Sequence, residues 1–331
     1  MIPLGLLKNW FRVEQGMIEP LPVGLSGSMV WGVRVGDERF VLKSFASSAH
    51  YEHAAWVHSL MQHAVNENIW QVPALKKTMN GESIQEDTNG SLWELMQWVP
   101  GAPCLRPSLR MAASSGATLA QVHVAMATFP DQILTHDHSP GVLFRISKAA
   151  ELVKLPFDER FCRILEHSQA ATMHEPFSLL TTSATKHALA TIANWRSRVV
   201  AIQPVLRDVW SEHIFFEDER VSGLIDWHAL GFDTPAMDIA RLFGSWPDDY
   251  ALERSFLKSY RSVRRLSDQE ERLIPFLKAS GIIFGLENWF RWIVEENRYF
   301  ADKEKVKDRI DSLQRAFPRA IQVLLDGKFD Q

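Results

Sequence analysis

Two aspartates and a histidine stand close together in the segment PVLRDVWSEHIFFEDERVSGLIDWHALG, residues 204–231. Asp208 precedes a short apolar run, IFF, and Asp226 follows a second, VSGLI, with a charged turn between the runs. Read as a hairpin with its turn at Glu217 to Arg220, the segment pairs Phe216 with Val221 and His213 with Leu224. Asp226 then lies two residues beyond Leu224, on the sheet face that carries His213. Diagonal neighbours of this kind have Cα atoms about 7–8 Å apart, within reach of one shared ion. Asp208, in the loop before His213, leads into the same open end. Carboxylates gathered at one mouth repel one another unless a cation joins them. Mg²⁺ held by one or two carboxylates and a substrate phosphate meets that need. Taken singly, each aspartate fits as well as a turn residue or a cap.

Three upstream features handle phosphate in the same way. VGLSGSMVWGV sets Ser26, Gly27 and Ser28 between apolar segments, where small residues let backbone N–H groups approach a phosphate. RFVLKSF sets Lys43 inside a strand. With a turn from Gly36 to Arg39, Gly32 pairs with Lys43, which points away from the face of Phe40 and Leu42. Glu52 opens the helical pattern YEHAAWVHSL, where it can pair with Lys43 and aim its ammonium. Each has an ordinary alternative: a plain turn, an edge lysine and an acid in a first helical turn.

The elements that must position these residues fall in a simple order. MVWGVRV and RFVLKSF read as paired strands, YEHAAWVHSLMQHAV as a helix, and SLWELMQWV as a strand ended by Pro100-Gly101. From Ser108 onward the pattern is mainly helical, including ATKHALATIANWRSRVVAI, with the 204–231 hairpin as an interruption. The expectation is an α+β chain: a β-rich N-lobe over residues 1–99 and a helical C-lobe over residues 100–331. Its 331 residues, 46% hydrophobic, suffice for a large core. A net charge of −4 provides no basic field for nucleic acid or an anionic membrane. Two cysteines, Cys104 and Cys162, make no disulfide framework and read as reduced thiols of a cytoplasmic protein. The N-terminus has no apolar signal segment, and LIPFLKASGIIFGLENWFRWIV is broken by Lys278, Glu287 and Arg291, so it reads as a buried or amphipathic helix.

In this order the segments resemble the aminoglycoside phosphotransferase/choline kinase-like family of small-molecule kinases, with a bilobal protein-kinase-like fold, over residues 20–295. The block LRDVWSEH, then GLIDWHALGFDTPAMDIARLF, is similar to the family's catalytic loop, metal-binding I-D-W and following D-P-A-x-D segment. LSGSMVWGVRVGDERFVLKSF resembles its glycine loop and lysine strand, LMQWVPGAP its hinge, and LAQVHVAM its L-A-x-L-H helix. The resemblance implies an ATP-dependent phosphotransferase acting on a hydroxyl of a small molecule, with Mg²⁺ or Mn²⁺. It implies that Asp208 is the catalytic acid, with Arg207 beside it, and that Asp226 binds the metal. Lys43, tethered by Glu52, would meet the α- and β-phosphates, and Ser26, Gly27 and Ser28 would cover them. The Gln97 carbonyl and Val99 N–H would meet adenine with Met96 behind it, and Asp238 would brace the catalytic loop.

Two positions depart from the family pattern. Leu206 replaces a histidine, and Arg207 either pairs with an acid or phosphate or lies at the surface. His213 replaces a metal-binding asparagine, and imidazole suits later metals better than Mg²⁺. Three readings follow: His213 ligates Mn²⁺ or a similar ion; Glu212 or water supplies the missing oxygen; or the chain binds nucleotide or a partner without transferring phosphate. THDHSP, with His136 and His138, reads as a polar loop, and Trp289 and Trp292 read as packing with an amine-binding alternative.

Overall fold

The computed structural model describes residues 4–12, 16–21, 28–45, 50–130, 135–156, 173–194, 199–300 and 302–327, together with Glu159 and Cys162. Through residue 127 the elements are α1 (Leu4–Leu7), β1 (Met17–Pro20), β2 (Val30–Val35), β3 (Glu38–Ser44), α2 (Tyr51–Asn66), β4 (Gln85–Glu86), β5 (Leu92–Gln97), β6 (Ala102–Pro103) and α3 (Leu109–Ala127). Then come β7 (Thr135–His138), α4 (Pro140–Val153), α5 (His174–Ser178), α6 (Ser183–Asn194), β8 (Val199–Val205), β9 (Ile214–Glu217), β10 (Arg220–Leu224) and β11 (Gly231–Asp233). The helices α7 (Ala236–Phe243), α8 (Tyr250–Val263), α9 (Asp268–Phe290) and α10 (Lys303–Asp326) complete the order. The fold is α+β, with a sheet in the N-terminal region and a largely helical C-terminal region. No described helix is long and apolar enough to cross a membrane.

The chain packs into two compact units. The first gathers residues 1–132, 210–230 and 251–265; the second gathers 133–209, 231–250 and 266–331. The 214–224 hairpin and most of helix α8 thus group with the N-terminal sheet.

In the first unit a five-stranded sheet runs β1-β2-β3-β5-β4, with all neighbours antiparallel. Alternation gives the paired strands β3 and β5 two chemically distinct faces. Leu42 and Leu95 are cross-strand partners, wholly buried among Trp10, Val33, Phe40 and Trp93. Each such leucine contributes about 1.5–3 kcal/mol relative to exposure. One residue along, Lys43 and Glu94 are partners on the opposite face. The β2–β3 register differs from the expected one. The turn is the two-residue Gly36-Asp37, with Gly36 at φ +60, so Val35 pairs with Glu38 and Lys43 with Val30. A glycine there meets the positive φ of a tight hairpin at no steric cost.

A second sheet of the first unit, β10-β9-β6, carries the hairpin. Its turn is Asp218-Glu219, and Phe216 pairs with Val221 as expected. A bulge at Ser222 then shifts the register, so that Phe215 pairs with Gly223 and Ile214 with Leu224. The bulge is held by the Ser222 hydroxyl, which donates to the Pro100 carbonyl at 2.6 Å. A Cβ at Gly223 would lie 2.3 Å from Val99 Cγ1, so any larger residue there would force Val99 to shift.

In the second unit β11-β8-β7 form a third sheet. Two expectations are corrected here. Val199–Val205 is a strand, not the end of a helix, because its β-branched run VVAIQPV favours pairing over helix continuation. Thr135–His138 is likewise a strand, paired with β8 and exposed throughout, rather than a polar loop. Helix α9 is capped by a Ser267/Glu270 capping box and buries Leu277, Ile283, Leu286 and Phe290. Trp289 packs edge-on against Trp292 and Phe300.

Candidate active site

Lys43 is the centre of the first unit's polar face. Its Nζ donates to Asp226 Oδ1 at 2.7 Å, with the lysine side chain only 10% exposed. Asp226 lies just past β10, where the Ser222 bulge redirects the strand. The Ile225 N–H donates to the His213 carbonyl at 2.9 Å, so His213 sits opposite Ile225 rather than Leu224. That places His213 Nε2 at 3.7 Å from Asp226 Oδ2. Asp226 adopts φ +64, a conformation uncommon outside glycine that surrounding contacts must hold. Burial works to raise its carboxyl, but the Lys43 ammonium, then His213, hold it below the usual carboxylate range. An ionised carboxylate beside an imidazole nitrogen is a donor set suited to Mn²⁺ or a later metal. Mg²⁺ would use the carboxylate with phosphate and water oxygens.

Glu52 does not complete this group. It is exposed on the first turn of α2, and Lys43 pairs with Asp226. The buried acid near Lys43 is Glu94, which no motif had marked. It accepts from His58 Nε2 at 2.7 Å and His228 Nε2 at 2.6 Å. Burial would raise the Glu94 carboxyl, yet the His228 charge and the hydrogen bonds from His228 and His58 hold it well below the usual range. Its cross-strand pairing with Lys43 is the signal that marks it, and this emerges only once the β3–β5 register is known.

Of the proposed nucleotide contacts, Ser28 is buried at the entry to β2, while Ser26 and Gly27 lie outside the described residues. At the hinge, the Gln97 N–H donates to the Ala74 carbonyl at 2.8 Å. Met96 pairs with Val41 across the sheet and is half-buried. Val99 packs on Gly223.

The second unit builds the loop that carries Asp208. Asp238, fully buried at the start of α7, accepts from the N–H groups of Leu206 at 2.8 Å and Arg207 at 2.6 Å. That is the bracing expected of it. Leu206 is buried in the place of the family's histidine. Arg207 has φ +64, is exposed, and lies along Gly231, where a Cβ would stand 2.6 Å from its Nη1. One turn after Asp238, Arg241 donates from Nε at 2.9 Å and from Nη2 at 2.6 Å to the same oxygen, Asp208 Oδ1. Sequence reasoning missed Arg241; its i+3 spacing from Asp238 on one short helix was the available clue. A second guanidinium, Arg145, is brought down to about 10 by burial, with Asp233 opposing the shift and Arg241 adding to it.

Comparison with known proteins accords with this arrangement. The sequence matches the phosphotransferase enzyme family, APH, over residues 18–273. A homoserine kinase of Acidiphilium cryptum is 24% identical over 273 residues, spanning 80% of this chain and 77% of its own length. A homoserine kinase of Mesorhizobium japonicum is 25% identical over 270 residues, with the same two coverages. In fold, the chain is similar to spectinomycin phosphotransferase APH(9)-Ia, solved with ADP and spectinomycin. The TM-score is 0.69 at 10% identity, over 99% of this chain and 98% of that one. A microcompartment-associated aminopropanol kinase gives a TM-score of 0.61 at 14% identity, over 97% and 98%. The match covers most of the chain and includes the lysine strand, the hairpin and the DTPAMDIARLF helix, and the chain therefore belongs to the phosphotransferase enzyme family.

Proposed function

We propose that this protein transfers the γ-phosphoryl group of ATP to a hydroxyl of a small, amine-bearing alcohol, and that Asp208, Asp226, His213 and Lys43 carry the reaction. The observation that carries the reading is the Lys43–Asp226 pair at 2.7 Å, its lysine buried and its aspartate half-buried, with His213 beside it. A lysine and a metal-binding carboxylate on one polar face are the parts that phosphoryl transfer needs to hold a polyphosphate. The names of the relatives, homoserine kinase and aminopropanol kinase, support an acceptor with both an amine and a hydroxyl.

In this reading Lys43 meets the phosphates of the nucleotide, and Ser26, Gly27 and Ser28 lie over them. Gln97 and Val99 present backbone groups to adenine, with Met96 behind it. Asp226 and His213 would hold a divalent cation, which would supply charge neutralisation at the phosphates. Asp208 accepts a hydrogen bond from the acceptor hydroxyl and orients it for in-line attack. Arg241 holds Asp208 through Oδ1. Arg207 shapes the loop through its left-handed backbone rather than through contact with the reacting atoms.

The decisive experiment follows ADP release on a panel of small amino alcohols with Mg²⁺ or Mn²⁺. Turnover with one acceptor supports the reading. Tight nucleotide binding with no turnover under either ion would favour the alternative, a kinase-like binding protein. Two variants refine the assignment. His213→Asn, which substitutes an oxygen donor, is expected to move the ratio of kcat/KM with Mn²⁺ to that with Mg²⁺ about tenfold toward Mg²⁺. Arg241→Gln is expected to lower kcat about 10–100-fold through misplacement of Asp208, while calorimetry finds metal–nucleotide binding unchanged.

A further inference from the structure

Next to Lys43 and Asp226 the first unit holds a buried polar cluster to which the phosphoryl transfer assigns no task. Glu94, 1% exposed, receives hydrogen bonds from two histidines on different elements, His58 of α2 and His228 of the Asp226 loop. His58 is itself fixed from its other ring nitrogen by Ser83 Oγ at 2.8 Å. The His228 ring stacks on Phe45, with centroids 4.1 Å apart and planes at 13°. His53 Nε2 lies 3.2 Å from the His228 carbonyl. Glu94, Phe45 and His53 all meet His228, two residues after Asp226. The intervening Trp227 is buried, with its Nε1 donating to the Leu224 carbonyl at 2.8 Å.

A reason for so much restraint is visible in the backbone. Asp226 holds a left-handed φ of +64 and no described strand or helix covers residues 225–230. An unpaired loop in that conformation keeps one shape only if its neighbours fix it. Glu94 is well suited to do so. It stands on a central strand of the sheet, directly opposite Lys43 in register. A tether from Glu94 to His228 therefore references the Asp226 loop to the strand that carries the lysine. Glu52 is exposed and holds no such position.

We propose that Glu94 is a positioning residue for phosphoryl transfer: through His228 it fixes the Asp226 loop against the Lys43 strand, and so sets the metal affinity of Asp226. This rests on the metal–nucleotide role given to Asp226 above. Groups that orient a metal ligand without touching the metal typically change affinity 10–100-fold when removed. His58, on the far side of Glu94, orients the carboxylate and links α2 to the same point.

The test is calorimetric titration with Mn²⁺·ADP and with metal-free ADP, on wild type, Glu94→Gln, His228→Gln and the double variant. Glu94→Gln and His228→Gln are each expected to weaken Mn²⁺·ADP about tenfold and to leave metal-free ADP within about twofold of wild type. Because both act through one tether, the double variant is expected to match either single variant rather than reach about a hundredfold. A merely structural role would not separate metal-bound from metal-free nucleotide. Should Glu94→Gln fail to fold, His228→Gln and Phe45→Leu, which loosens the stacked ring, carry the same comparison. Unchanged Mn²⁺·ADP affinity in the folded variants, or multiplicative losses in the double variant, overturns the inference alone. A wild-type protein that binds no Mn²⁺·ADP overturns the kinase reading together with it.

Discussion

Asp208→Asn is expected to lower kcat by about 10³-fold, within the range by which a positioned acid or base accelerates proton transfer, while nucleotide affinity stays close to that of wild type. The substitution keeps size and shape, so Arg241 and the Asp238-braced backbone around Leu206 and Arg207 remain in place. What is lost is the charge proposed to accept the hydroxyl proton of the substrate. The measurement is steady-state ADP release alongside calorimetric titration with ATP analogue and metal. Residual activity within about tenfold of wild type would mean that Asp208 does not do this chemistry.

Asp226→Asn is expected to act at a different step. Loss of the carboxylate removes the proposed charged metal ligand, and kcat/KM for metal–ATP should fall about 10³-fold, equivalent to about 4 kcal/mol of transition-state stabilisation. The amide still offers an oxygen to Lys43, so the fold survives, as circular dichroism and a preserved melting transition would show. The contrast between the two variants is diagnostic. Asp208→Asn leaves the thermal stabilisation by Mn²⁺·ADP, whereas Asp226→Asn abolishes it. If Asp226→Asn retains full Mn²⁺·ADP stabilisation, the metal lies elsewhere and the assignment of His213 falls with it.

The restraints found around these two acids differ in kind. Asp208 is fixed inside the second unit by a helix that bears both of its controls, Asp238 on the backbone and Arg241 on the carboxylate. Asp226 is fixed inside the first unit by charge from Lys43 and by a loop whose backbone is held against its preference. Short helix α7 can serve the first purpose because residues three apart share a face, so one turn reaches two points of the same loop.

Much of this was available from residue order. Strands β2, β3 and β5, helices α2 and α3 and the 214–224 hairpin follow apolar periodicity, which is local and survives without knowledge of the fold. The pairing of Phe216 with Val221 came from the turn. The motif residues Lys43, Asp208, Asp226 and Asp238 stood out by type and spacing, and they carry the family resemblance.

The rest depended on tertiary contacts. The bulge at Ser222 depends on Pro100, 122 residues away in the chain, and it moves His213 one register position relative to Asp226. Residues 199–202, helical by local pattern, belong to strand β8 because its partners, β7 and β11, come from distant segments. Glu52 looked like the lysine's partner because sequence distance was the only distance available. Its exposure, and the placing of Glu94 opposite Lys43, are set by strand register. Arg241 and the histidines 58 and 228 were invisible as site residues for the same reason. By itself, then, the sequence determined the kinase-like order of elements and the candidate acids, because side-chain chemistry and local periodicity are encoded residue by residue. Only the tertiary structure decided which charges meet, since a hydrogen bond of 2.7 Å between residues 43 and 226 is a property of packing and has no local signature.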